Sequence, residues 1–173
     1  LAINDDLTAL ARQLTRENTA LAARLAQLEQ ERSITQMRHD YELAVAHALE
    51  IRREEVGGLA VEALAQTLPM VGLSPALPDR AARHHEHMRA TVQRFHQMVQ
   101  LGATVDWGLV AYEYGWTARV LTRLGITWEH QQALIDTYFE AAAALPWSDK
   151  ERAALDRIGA RLRLIGEQAY ATG

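Results

Sequence analysis

The chain has 173 residues, 49% of them hydrophobic, a formal net charge of −4 and no cysteine. That length fits one domain plus an extension with a real core, while the hydrophobic share and mild acidity exclude a disordered chain and a nucleic-acid-binding surface. The lack of Cys excludes disulfides, thiol catalysis, iron–sulfur centres and thioether attachment of a cofactor.

Lys150 is the one lysine, and the arginines are scattered among carboxylates rather than clustered. No apolar run approaches the roughly 20 residues of a bilayer span and no signal peptide opens the chain, so a cytoplasmic setting is expected, with no membrane among the partners. The chain starts at Leu1 rather than Met, which leads us to expect a segment of a longer protein with other signalling domains as partners.

The first fifty-five residues read as one long helix. Core-type positions fall at Ile3, Leu7, Leu10, Leu14, Asn18, Leu21, Leu25 and Leu28, with spacings of 4, 3, 4, 4, 3, 4 and 3. That is a heptad seam with one irregular step between Leu14 and Asn18. The apolar stripe is narrower than a core helix needs, and Arg, Glu, Gln and Thr fill the other faces. An Asn in such a seam fixes register and oligomer state, commonly a parallel dimer, so residues 1–55 are expected to form a homodimeric coiled-coil signalling helix. The seam continues more loosely through Met37, Tyr41, Val45, Ala48 and Leu49, and Gly57-Gly58 is expected to break it.

Residues 56–173 read as a helical domain. A short apolar helix from Leu59 to Leu68 ends at Pro69, and Pro69 to Asp79 is a loop holding Gly72, Pro75 and Pro78. Asp79 is expected to cap a helix whose apolar face is Ala81, His85, Met88, Val92, Phe95 and Val99, with Gly102 as its stop. Thr104 is expected to cap the next helix, whose apolar surface includes Val105, Leu109, Tyr112, Trp116 and Val120, and which Gly125 ends. Thr127 opens a helix with Trp128, Ile135, Tyr138, Phe139 and Ala142 on one side, closed by Pro146. Ser148-Asp149-Lys150-Glu151 is a capping box, followed by a narrow stripe of Leu155, Ile158, Leu162, Ile165 and Ala169. No segment shows strand alternation, so the fold is expected to be all-α.

The helix after Gly102 carries Trp107, Tyr112, Glu113, Tyr114 and Trp116, and sets Gly108, Ala111, Gly115 and Ala118 on one face. Each interior glycine costs a helix roughly 0.5–1 kcal/mol against alanine. The compensation is expected to be something flat or close against the backbone, either a crossing helix or a planar ligand. The aromatics fit a core and equally fit the lining of an apolar pocket with polar handles. His96, beside Phe95, fits either a ligand-contacting imidazole or a buried polar contact.

His84 and His87 are expected to be solvated and His85 to sit at the core edge. With no HExxH, no Cys and no second pair of ligands, no metal site is expected. No Ser–His–Asp order, phosphate-binding glycine loop or paired buried carboxylates appears, so no catalytic residue is assigned and an enzyme is not expected. Glu113 is read as a partner in a structural hydrogen bond.

Val99-Gln100-x-Gly102, followed by Val105, Leu109, Glu113 and Trp116, resembles the sensor domain of stressosome scaffold proteins and, more distantly, globin-coupled sensors. Ile135-Asp136-x-Tyr138-Phe139 resembles the stressosome sensor pattern, and the likeness covers residues 81–145. It implies a globin-like helical bundle, preceded here by the long coiled-coil helix, acting as a dimeric signalling domain. Globin-coupled sensors place the proximal haem histidine four residues before the glycine, where this chain has Met98; stressosome sensors also lack it. The resemblance therefore implies haem held by His96 from a shifted register, or a linear bilin such as biliverdin bound noncovalently. The expected function is a sensory signal-transduction module that binds a planar tetrapyrrole or similar apolar ligand and relays to a dimeric coiled coil. Its expected binding residues are His96, Trp107, Gly108, Ala111, Tyr112, Gly115, Trp116 and Tyr138. The competing expectation is a ligand-free dimerisation and scaffold domain of a signalling complex. Globin-coupled sensors pass their signal to a C-terminal output, whereas the coiled coil precedes the sensor here.

Overall fold

The computed structural model describes the backbone of residues 2–70, 73, 75–76 and 78–172, with side chains from Ala9 onward. The fold is all-α, and no strand occurs among the described residues. The helices are α1 (Ala2–Ile51), α2 (Arg53–Thr67), α3 (Arg80–Thr104), α4 (Trp107–Arg123), α5 (Trp128–Ala143) and α6 (Asp149–Ala171). The chain divides into two units, Leu1–His39 and Asp40–Gly173.

In the first unit every described side chain is exposed, including Leu10, Leu14, Leu21, Leu25 and Leu28 of the heptad seam. Ile3 and Leu7, the first two seam positions, lie outside the described side chains. Polar side chains pair along the helix at the spacing that brings neighbours together: Gln13 donates to Glu17 at 2.9 Å and Gln27 to Glu31 at 2.8 Å.

The second unit is a bundle that takes in the last turns of α1. Val45, Ala46 and Leu49 are fully buried there. The Gln100 amide of α3 donates to the Ala46 carbonyl at 2.9 Å, and buried Glu42 meets Arg157 and Arg161 of α6 at 3.3 and 3.6 Å. α2 packs on α3 and α5, α6 packs on α4 and α5, and α3 on α4. The core is aliphatic at Leu64, Val99, Ile135, Leu155, Ile158 and Leu162, with an edge-to-face cluster of Phe95, Tyr138 and Phe139 at centroid distances of 5.1 to 6.4 Å.

Several boundaries differ from the sequence expectation, each for a local reason. The long helix is interrupted at Arg52 (φ −99°, ψ 17°), and Gly57 and Gly58 lie inside α2. Both glycines keep helical hydrogen bonding because buried Val56, Ala60, Val61 and Leu64 around them anchor the helix to the core. Asp79 does precede α3, but in a left-handed conformation and without a side-chain cap. Gly102 does not stop α3: it is buried within the helix, because the Trp107 ring lies flat on its bare Cα. α4 is capped by Asp106, which accepts from the Gly108 amide at 2.8 Å, while the Thr104 hydroxyl turns back to Gln100. Gly125 (φ +78°) follows α4 in the left-handed geometry expected after a helix. The Ser148–Glu151 capping box is formed as read from the sequence.

α4 is rotated from the expected orientation. Val110, Tyr114 and Ala118 face the core, while Val105, Leu109, Tyr112, Trp116 and Val120 face outward. Two contacts set this rotation: Trp107 seated on Gly102, and the Tyr114 hydroxyl donating to Gln131 of α5 at 3.3 Å. Glu113, expected to make a structural hydrogen bond, is exposed. At the start of α3, His84 is the buried histidine and Ala81 is exposed, so the buried face is one residue round from the expected one.

Candidate functional site: a polar cleft over His96 and Tyr138

Two of the eight residues expected to bind a ligand come together. His96 on α3 and Tyr138 on α5 are both buried, and they form the floor of a cleft of about 430 Å³. The walls come from α2 and α3: Arg53, Gly57, Gly58, Glu62, His85 and Arg89. A Cβ at Gly58 would meet nothing within 4 Å, and one at Gly57 would approach only Val92, at 3.9 Å. The two glycines thus keep side chains out of the cleft and leave the α2 backbone bare along its wall.

The floor is a directed hydrogen-bond chain. His96 Nε2 lies 2.7 Å from Glu50 Oε2, and His96 Nδ1 lies 2.6 Å from the Tyr138 hydroxyl. A carboxylate only accepts, so Nε2 carries the proton; in the neutral imidazole Nδ1 then accepts from the Tyr138 O–H. The other Glu50 oxygen faces Arg53 Nη1 at 3.4 Å. The chain Tyr138–His96–Glu50–Arg53 therefore joins α5, α3, the last turn of α1, and α2, running from the core to the half-exposed Glu50. The hydrogen bond from His96 holds the Glu50 carboxyl below the ordinary carboxylate range, against a smaller opposing push from burial. Burial raises the Tyr138 hydroxyl far above its ordinary value, and the Glu50 charge adds to this, so the hydroxyl stays protonated and able to donate. At the rim, His85 Nε2 meets Glu62 at 3.1 Å.

The other six expected residues do not join this cleft. Trp107 packs on Gly102 with the Arg161 guanidinium 5.2 Å over its ring. Gly108, Ala111, Tyr112 and Trp116 are exposed, and Gly115 has nothing within 4 Å of where its Cβ would be. No described helix covers Gly108 and Ala111, whereas Ala118, at the end of the stripe, is buried. Flat groups do lie on glycines elsewhere: Trp107 on Gly102, Phe139 on Gly159, and Trp128 on Gly166. The residues present do not fit a haem ligated by His96, because both ring nitrogens are already engaged.

Sequence patterning missed Glu50, Arg53 and the two glycines as parts of one site. The available signal was Gly57-Gly58 flanked by good helix formers, which reads equally as a break. A second cavity, of about 300 Å³, lies between α3 and the start of α5, with His84, His87 and His130 in its lining. The Nε2 of His84 is buried without a hydrogen-bond partner among the described residues, and His130 Nδ1 accepts from the Thr127 amide at 3.0 Å. Among the described residues no three His, Cys, Asp or Glu side chains are grouped to hold a metal ion. No described helix is long and apolar enough to cross a membrane.

Burial raises three tyrosine hydroxyls: Tyr114 and Tyr138 strongly, and Tyr170 to about 12. A group whose folded pKa exceeds its unfolded value contributes stability that is complete below the unfolded pKa and is lost as pH rises towards the folded one. Stability is therefore expected to decline above the ordinary tyrosine value of 10.0. Tyrosinate absorbance and helical circular dichroism, followed through an alkaline titration, are expected to show these three hydroxyls ionising together with unfolding. Full ionisation of all the tyrosines while the helices persist is the contrary result.

Comparison with known protein families, with curated proteins and with solved structures finds no match to this chain.

Proposed function

We propose that this chain is a sensory signal-transduction module, a binding protein rather than an enzyme, acting in the cytoplasm as a homodimer through the coiled coil of α1. The observation that supports it best is the Glu50–His96 contact. The last turn of the helix whose sequence carries the heptad seam supplies the carboxylate that accepts from His96, on the cleft floor. A ligand that accepts from His96 Nε2 or pairs with Arg53 competes with Glu50 for its partners. It shifts the coiled coil only by its differential affinity for two packings of that helix, and the irregular step at Asn18 is where a second packing is available.

The ligand class we propose is a planar organic acid, with a linear bilin preferred over haem. A bilin needs no axial ligand, and Arg53 and Arg89 on the cleft wall suit its carboxylates. The globin-like likeness supports the same reading. The test titrates the full chain with biliverdin and, separately, with haem, following visible absorption. A bilin band is expected, lost in Gly58→Leu, which fills the cleft, and kept in Trp116→Ala, which lies outside it. No band with either compound overturns the ligand.

The ligand-free scaffold reading is favoured by a different observation, the exposed seam leucines of α1. It is adopted if no ligand binds while the full chain sediments as a dimer that Leu21→Glu converts to monomer.

A further inference from the structure

The outward face of α4 is unpartnered, and we propose that it pairs, antiparallel, with the same face of a second copy of this chain. Val105, Leu109, Tyr112, Trp116, Val120 and Leu124 form one exposed apolar stripe, with Tyr112 at 79% and Trp116 at 55% exposure. The 3- and 4-residue steps from Leu109 to Val120 keep those four residues on one side of α4, with Val105 just before the helix and Leu124 just after it. Monomeric proteins rarely leave contiguous apolar patches beyond a few hundred Å² exposed. Aromatic side chains cover about 150–250 Å² each, so the stripe offers on the order of 600 Å² per protomer before its flanks are counted. That approaches the roughly 800 Å² per partner of a standard interface.

The stripe is self-complementary in only one direction. Turned antiparallel about a two-fold axis between Tyr112 and Trp116, Leu109 meets Val120 of the second copy and Val105 meets Leu124. Asp106, at the start of α4, then faces Arg123, at its end, twice over. Both are exposed, and neither has an ion pair among the described residues. A parallel pairing would instead stack Glu113 on Glu113, Arg119 on Arg119 and Arg123 on Arg123. Like charges placed opposite one another at an interface disfavour that arrangement, whereas an isologous two-fold contact pairs each group with its complement. Gly115 flanks the stripe with nothing within 4 Å of where its Cβ would stand. There it lets the partner's aromatic rings approach the backbone, which supplies the close contact that an interior glycine requires.

The chain has no native cysteine, so single substitutions report the register cleanly. Full-length Leu109→Cys and Val120→Cys proteins are each oxidised alone and then as an equal mixture. We expect covalent dimer in the mixture at five-fold or more the yield of either protein alone. A control mixture of Leu109→Cys with Glu140→Cys on α5 stays at background. Adding Trp116→Glu to both partners is expected to abolish the cross-link while helical circular dichroism is unchanged. Homodimers of Leu109→Cys alone at equal yield would show a parallel pairing and overturn the proposal. So would background yield in the mixture, which would leave the face to a different protein or to solvent.

Discussion

Gly102→Ala is expected to destabilise the bundle by about 2–3 kcal/mol, whereas Gly115→Ala, the same change on the next helix, is expected to stabilise it by about 0.5–1 kcal/mol. A Cβ at Gly102 would stand 2.4 Å from Trp107 Cε3 and Cζ3 and 2.7 Å from Cη2. A rigid indole cannot yield that distance by rotating a flexible tip, so either α4 shifts or the ring leaves its seat. Leaving also forfeits the Arg161 guanidinium over its face, worth about 0.5–1 kcal/mol at a partly exposed site. The helix-propensity gain of about 1 kcal/mol is too small to offset these losses. At Gly115 nothing lies within 4 Å, so the propensity term acts alone. Urea unfolding of the two variants should move the midpoint in opposite directions. A neutral Gly102→Ala would mean that Trp107 does not rest on Gly102. If the proposed α4 pairing forms, the Gly115→Ala gain shrinks with rising protein concentration.

The fold class, the helix order and the inward faces of α5 and α6 were legible because these helices have a single apolar stripe. Leu155, Ile158 and Leu162 leave no alternative face to bury. α4 was not legible in the same way. It is apolar on two sides, and hydrophobic spacing alone does not distinguish Val110, Tyr114 and Ala118 from Leu109, Tyr112 and Trp116. The choice is made by particular side-chain contacts, the Gly102 seat under Trp107 and the Gln131 acceptor of α5, which hydrophobic spacing does not encode. Flat groups do lie on helix glycines, yet they are the chain's own rings on Gly102, Gly159 and Gly166. His96 and Tyr138 were expected among the binding residues from residue type and position. Their link to Glu50 was not, because it joins residues 46 apart in sequence through a break in the helix that no Gly or Pro marks.

His96→Leu is expected to cost about 3 kcal/mol, and adding Tyr138→Phe is expected to recover part of that loss rather than deepen it. The single change removes two hydrogen bonds but leaves very different groups behind. Glu50 is half exposed and keeps Arg53, so water and the guanidinium satisfy it. The Tyr138 hydroxyl belongs to a residue with no accessible surface and has no other hydrogen-bond partner among the described residues. A buried donor left without a partner costs about 1–3 kcal/mol, whereas replacing both partners by apolar groups of similar shape approaches neutrality. In the double variant the Phe ring keeps its edge-to-face contacts with Phe95 and Phe139 and brings no orphaned hydroxyl. The two substitutions should therefore be non-additive, with a coupling of about 1–2 kcal/mol between them. Denaturant unfolding of the two single variants and the double closes the cycle. Simple additivity would mean that Tyr138 does not donate to His96, and the chain from the core to Glu50 would end at the imidazole. Because the cleft floor consists of these same two side chains, the double variant should remain folded while losing the polar contact through which a bound ligand and α1 compete.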